Sequence, residues 1–203
     1  MQKCREWQNC IQDGGMKIGE VGMFMSKRIL IISSSLRKNA NSEQLAVSFA
    51  DGAKAAGHEV ELISLRDKEI RFCIGCFACQ KTQRCIMHDD ADAIREKMLH
   101  ADVLIFATPI YYYEMSGALK TMLDRANPLF SSDYRFREVY ALATAAEDEE
   151  DVPQKAFSGI EGWVDCFEKA EFKGKIFAGG VNEREEIKGS KALEEAYSMG
   201  GLI

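Results

Sequence analysis

The sequence predicts an α/β protein: an open, doubly wound, five-stranded parallel sheet with helices on both faces. Three observations lead there. Strand and helix patterns alternate five times along the chain, an order that implies right-handed crossovers. Two of the strand patterns, Ile29–Ile32 and Val103–Ala107, are continuous apolar runs, as strands buried on both faces require. The segments between strands carry apolar residues at helical spacing, bounded by capping residues.

Arg28–Ser33 is the first strand. Asn41–Gly57 sets Leu45, Ala46, Phe49, Ala53 and Ala56 on one helical face, and Gly57 stands where a helix terminates. His58–Leu65 alternates as a second strand. Asp89–His100 reads as a short helix and Asp102–Thr108 as the third strand. Ser116 is placed to cap a helix over Gly117–Asn127. Val139–Thr144 is the fourth strand, and Asp151 with Pro153 opens a helix predicted to run through Glu171. Lys175–Gly179 and Ser190–Ser198 supply the last strand and helix. Residues 1–25 lack this periodicity, and Met16, Met23 and Met25 offer later starts. They read as an N-terminal extension, flexible or an upstream start, ahead of one domain over 26–203.

Composition narrows the class. With 46% hydrophobic and 29% charged residues among 203, the chain suits one well-buried core, not a disordered segment. A net charge of −6 argues against a nucleic-acid surface or a polybasic membrane anchor. No apolar run approaches a membrane span. Lys3 and Arg5 are followed by polar Gln8, Asn9 and Gln12 in place of an export signal, so the expected setting is a reducing cytoplasm.

In sheets of this kind ligands sit outside the carboxyl ends of the strands, so the loops after strands one, three and four are the ones to inspect. The first, Ser33–Ser42, supplies hydroxyls, two cations and the free amides of a helix N-terminus, which suits a phosphate monoester. It lacks the glycine spacing of a dinucleotide fingerprint. A plain polar loop with Asn41 or Ser42 as helix cap is the simpler alternative. The second, Thr108–Gly117, leaves its strand through Pro109 and carries Tyr111, Tyr112 and Tyr113, of which at least one must be exposed or line a pocket. Such a segment suits a flat conjugated ring or a tyrosine-rich dimer interface.

Ser34–Ser42 resembles the phosphate loop of the flavodoxin-like NAD(P)H-dependent FMN reductase family. Thr108–Tyr111, followed by Gly117–Lys120 and Asp124–Arg125, is similar to that family's flavin-ring segment and following helix. The resemblance spans Lys27 to the C-terminus. It implies a flavodoxin-like fold with FMN bound and NAD(P)H as co-substrate, in a homodimer or homotetramer. By position, Ser35, Arg37, Asn41 and Ser42 would hold the phosphate. Pro109, Ile110, Tyr111 and Tyr112 would border the isoalloxazine, with Thr144 and Ala145 closing the other side. Ser34 departs from the family's usual glycine, which would carry a steric cost if the backbone there needs a positive φ.

Four of the seven cysteines fall in one run, Cys73, Cys76, Cys79 and Cys85. Two successive two-residue gaps place three thiols around one loop, a geometry suited to three corners of a cubane iron–sulfur cluster, with Cys85 folding back as the fourth. The run also resembles the compact motif of the iron–sulfur flavoproteins, a branch of the same family. A [4Fe–4S] cluster, redox-active thiols beside the flavin, and structural zinc are the three readings. Cys166, beside Trp163, reads as a small buried residue. Glu147–Asp151 reads as a solvated acidic run, or as a rim that repels the phosphates of a dinucleotide and favours a protein or uncharged partner. His58, His88 and His100 show no metal-ligand spacing.

The expected function is an FMN-dependent oxidoreductase passing electrons from NAD(P)H to a quinone, flavin or other small acceptor. The alternatives are an iron–sulfur flavoprotein exchanging single electrons with a ferredoxin-like donor, and a non-enzymatic cysteine-loop sensor of redox state or metal. Neither nucleic acid nor membrane is an expected partner.

Overall fold

A computed structural model describes residues 25–203, so the N-terminal extension, with Cys4 and Cys10, lies outside the described residues except for Met25. The chain runs β1 (Arg28–Ser33), α1 (Asn41–Ala55), β2 (Glu59–Ser64), α2 (Cys79–Thr82) and α3 (Asp90–His100). It continues through β3 (Val103–Tyr111), β4 (Glu114–Met115), α4 (Gly117–Arg125) and a short 3-10 helix, Asn127–Ser131. β5 (Glu138–Thr144), α5 (Gln154–Val164), β6 (Glu171–Ala178) and α6 (Lys191–Gly200) complete it.

Five strands form a parallel sheet in the order β2-β1-β3-β5-β6, and β4 folds back antiparallel on the end of β3. Ile29 to Ile32 pair with Val103 to Phe106 on one side and Val60 to Ile63 on the other. These central residues are buried because helices cover both faces. α1 and α6 pack on one face around Phe49, Ile31, Ile105 and Leu142. α3, α4 and α5 pack on the other around Met98, Phe106, Leu119 and Ile160. No helix among the described residues is long and apolar enough to cross a membrane.

The predicted elements recur with specific corrections. The long helix expected through Glu171 ends at Val164, and β6 begins at Glu171 instead of Lys175. Its exposure alternates along Phe172, Gly174 and Ile176, the period of an edge strand with one face covered, and this outweighs the helical reading. β4, α2 and the 3-10 helix are too short to register as periodic segments. Ser116 caps α4 by accepting from the Leu119 amide, and Gly57, at φ +91°, ends the turn after α1.

Two constraints fix this frame. α1 and α6 approach so closely that a Cβ on Gly52 would sit 1.9 Å from the Tyr197 carbonyl oxygen, and one on Gly200 would sit 2.1 Å from that of Phe49. The second is a buried ion pair: Arg125 Nη1 lies 2.6 Å from Asp89 Oδ2, with the guanidinium wholly buried. Arg125 also donates to the Arg71 and Met87 carbonyls, so it clamps both ends of the cysteine segment onto α4. Asp89 in turn accepts from the amides of Arg71 and Ala91, capping α3. Burial alone would raise the Asp89 carboxyl, but Arg125 and these amides outweigh it and hold the group down at about 2.

Gly52→Ala and Gly200→Ala should each destabilise the fold by about 1–3 kcal/mol through overpacking. Gly162→Ala, in α5 where a Cβ meets nothing within 4 Å, should gain about 0.5–1 kcal/mol. Urea denaturation compares the three. A carboxyl lowered from 3.8 to about 2 stabilises the fold fully above its unfolded value and loses that contribution as pH falls between the two. Asp89→Asn should flatten the acid limb of a stability–pH curve. At neutral pH it should cost about 3–5 kcal/mol, because Arg125 is left buried without a counter-charge.

Candidate cofactor sites

The loops at the carboxyl edge of the sheet are joined by a chain of buried hydroxyls. Ser116 Oγ donates to Ser34 Oγ at 2.8 Å, and Ser34 Oγ donates to the Ala107 carbonyl at 3.0 Å. Thr108 Oγ1 accepts from the Ser116 amide. The loop after β1, the end of β3 and the start of α4 are thereby held in one register. Ser34 is not among the positive-φ residues, so serine brings no strain here and its hydroxyl serves as a link. The left-handed position of this loop is Asn39, at φ +54°, a conformation asparagine tolerates.

A cavity of about 200 Å³ opens at this edge. Ser35, Arg37, Asn41, Ser42, Pro109, Ile110, Tyr111, Thr144 and Ala145 all line it. Tyr112 is not among the lining residues. With Tyr113 it forms the two-residue turn between β3 and β4, at φ +51° and +66°, and it is 99% exposed at the tip. A turn with both central residues left-handed usually takes Asn-Gly. Two tyrosines there store backbone strain of about 1–3 kcal/mol each.

One end of the cavity suits an anion. α1 begins after Ala40, which offers no side-chain oxygen, so the first amides of the helix lack a side-chain cap. Ser42 is buried and its Oγ has no partner. Arg37 stands at the mouth, where Nη1 reaches the Asn182 carbonyl at 3.2 Å. Glu43, in the first turn, is paired with Arg66 at 3.2 Å, which offsets the carboxylate nearest the site. A phosphate monoester fits this donor set. Asn41 Nδ2 donates to the Val181 and Glu183 carbonyls and its Oδ1 accepts from the Ile187 amide. Asn41 thus fastens the β6–α6 loop at the cavity wall.

The other end is apolar and open. Pro109 and Ile110 are half-buried and Tyr111 is 48% exposed, so the three form a ledge beside buried Thr144 and Ala145. The Val181 amide donates to the Ala145 carbonyl at 2.8 Å, tying the β5–α5 loop to the loop after β6. The acidic run reaches this rim. The Glu147 carboxylate beside the Tyr113 hydroxyl raises its pKa above the usual value. Val181, Asn182, Glu183 and Arg184 also line the cavity and were missed by inspecting only three loops. The rule of carboxyl ends extends to the last strand as well, and would have found them.

A second, larger cavity, about 500 Å³, lies over α4 and the 3-10 helix. Cys73, Cys76, Cys79 and Cys85 all line it. Trp163 and Phe167, centroids 4.5 Å apart, are among its apolar lining residues. Cys79 is buried, Cys85 half-buried, and Cys73 and Cys76 are exposed. Cys166 corrects the expectation of a buried residue: it is exposed just beyond α5 and lines the same cavity. Among the described residues no three His, Cys, Asp or Glu side chains gather about a point where a single metal ion could sit. Four thiols spread around one space suit a cage of several metal and sulfide atoms better than one tetrahedral ion. Asn127 Nδ2 lies 3.0 Å from Cys79 Sγ, a contact that nothing in the sequence spacing announced.

Comparison with known proteins agrees with this geometry. The profile of the NADPH-dependent FMN reductase family matches residues 27–151. An iron-sulfur flavoprotein of Methanocaldococcus jannaschii is 38% identical over 102 residues, covering 50% of this chain and 53% of that protein. One from Methanosarcina thermophila is 30% identical over 138 residues, covering 68% and 72%. The chain thus spans about half the length of the first of these relatives. Among solved structures, an NAD(P)H:quinone oxidoreductase from Methanothermobacter marburgensis superposes with a TM-score of 0.65 at 18% identity, covering 87% of this chain and 96% of that one. That likeness is one of fold. The chain belongs to the NADPH-dependent FMN reductase family, in the branch of the iron-sulfur flavoproteins.

Proposed function

We propose that the chain is an FMN-dependent oxidoreductase that passes electrons from NAD(P)H to a quinone, a flavin or another small acceptor. The cavity at the carboxyl edge of the sheet carries this reading. There an uncapped helix N-terminus and an unpartnered buried hydroxyl stand at one end of an apolar ledge. When bound, FMN supplies the redox chemistry, accepting hydride from a nicotinamide and delivering electrons to an acceptor. The protein's part is to bind and orient. The α1 amides, Ser35, Ser42 and Arg37 would hold the phosphate, and Asn41 would keep the β6–α6 loop in place beside it. Pro109, Ile110, Tyr111, Thr144 and Ala145 would border the ring. The carboxylates of Glu147–Asp151 favour uncharged acceptors at that rim.

The thiol cavity favours a second reading, in which the same protein also carries a cluster and exchanges single electrons with a ferredoxin-like partner. Its thiol set and apolar walls fit a [4Fe–4S] centre held by Cys73, Cys76, Cys79 and Cys85, and the names of the relatives support it. When bound, such a centre supplies one-electron storage. The apolar wall around it would limit water on the side of Cys79, the buried thiol.

Ser42→Ala should weaken FMN binding by about 1.5–3 kcal/mol, the worth of one hydrogen bond to a charged group. That is roughly tenfold to a hundredfold in Kd. Riboflavin, which lacks the phosphate, should bind both proteins alike. Flavin fluorescence titration measures both ligands, and an unchanged FMN affinity would move the phosphate elsewhere. For the second reading, anaerobically prepared protein should carry about four irons with matching acid-labile sulfide and a broad visible absorbance that reductant bleaches. Flavin absorbance without iron would leave the reductase reading standing alone.

A further inference from the structure

We propose that Asn127 sets the reduction potential of the centre held in the thiol cavity, by donating its side-chain N–H to the Cys79 sulfur. This rests on the cluster reading above. The contact is 3.0 Å long, and Cys79 is only 8% exposed, so it is the most shielded of the four thiols. Donor and acceptor stand on two short helices that are fastened together. Gln83 Nε2 at the end of α2 donates to the Ser131 carbonyl at 2.6 Å, and Ser131 Oγ reaches the Cys79 carbonyl at 3.4 Å. Pro128 follows Asn127 and fixes the backbone at the start of the 3-10 helix. The donor is therefore held at the sulfur by the fold.

Other charges nearby count for less. Arg125 is wholly buried and lines the cavity, but Asp89 at 2.6 Å offsets much of its charge, and the thiol it faces is Cys85. Lys81 and Arg84 are exposed, and water and salt screen them. Cys73 and Cys76 are exposed to solvent. The amide of Asn127 is an uncompensated dipole aimed at a buried sulfur. Reduction adds negative charge to the centre and its thiolates, and hydrogen bonds to charged acceptors are roughly twice as strong as neutral ones. The N–H thus stabilises the reduced form more than the oxidised one, and the potential rises.

The test is an anaerobic redox titration of the full chain carrying both cofactors, with the centre followed by electron paramagnetic resonance and FMN by absorbance. Asn127→Leu keeps the size and removes the donor. Its iron and sulfide content should match the parent, while the ratio of reduced to oxidised centre at fixed potential falls about tenfold. For one electron that equals about 59 mV. Asn127→Asp should fall further, because a carboxylate replaces the donor, and Asn127→Gln, which retains an amide, should recover part of the loss. The FMN potential should stay put in all of them. A fully loaded Asn127→Leu with the parent's potential would overturn the proposal, as would an equal shift in FMN. Should the leucine variant fail to assemble the centre, the aspartate and glutamine variants carry the same comparison. A parent protein without iron and sulfide would instead refute the cluster reading on which this stands.

Discussion

The strand order is the constraint from which the rest follows. With β1 flanked by β2 on one side and β3 on the other, the chain leaves β1 and β3 toward opposite faces of the sheet. A crevice must open where the connections diverge, and its walls are loops with unpaired backbone groups. The molecule closes part of that crevice itself, with the hydroxyl chain through Ser34, Ser116 and Thr108. What it leaves open is the first turn of α1 and the unpartnered Ser42 hydroxyl. Polar groups buried without partners cost stability, so their concentration at one edge marks a place completed by something other than protein.

The cysteine cavity depends on a different device. The segment between β2 and α3 has little regular structure beyond the single turn of α2. It is held by one buried guanidinium and one carboxylate, with backbone groups from both ends of the segment gathered around them. Exposed ion pairs such as Lys120–Asp124 contribute little by comparison. The Arg125–Asp89 contact thus anchors both ends of the thiol loop, while the bonds of Gln83 and Ser131 hold its middle. Part of the cavity's apolar side comes from α5 and the turn after it, where Trp163 and Phe167 also pack against Phe136 in the core.

Most of the frame was legible because it rests on local signals. Continuous apolar runs gave the central strands, Ser116 and Gly57 marked helix ends, and the loop chemistry pointed to the edge of the sheet where the smaller cavity opens. The failures share a cause: they turn on contacts between distant segments. The end of α5 was misjudged because Trp163, Val164 and Phe167 keep a helical rhythm that the packing of Phe167 against Tyr134 and Phe136 interrupts. The loop-fastening bonds of Asn41 were hidden because its partners at Val181, Glu183 and Ile187 lie far along the chain. Cys166 was placed inside because a lone cysteine beside a tryptophan resembles core, and only the fold brings it to the other thiols. Tyr112 was counted with the ring segment because three adjacent tyrosines do not reveal which of them turns the corner.

The contact between Gly52 and Gly200 reaches beyond packing. It locks the C-terminal helix against the helix whose first turn lines the smaller cavity, and Ser48 adds a hydrogen bond to the Leu193 carbonyl alongside. α1 therefore cannot translate along its own axis without forcing backbone into backbone. α6 thus acts as a stop behind the loop after β1, and the position of the cavity's front edge is partly decided at the back of the molecule.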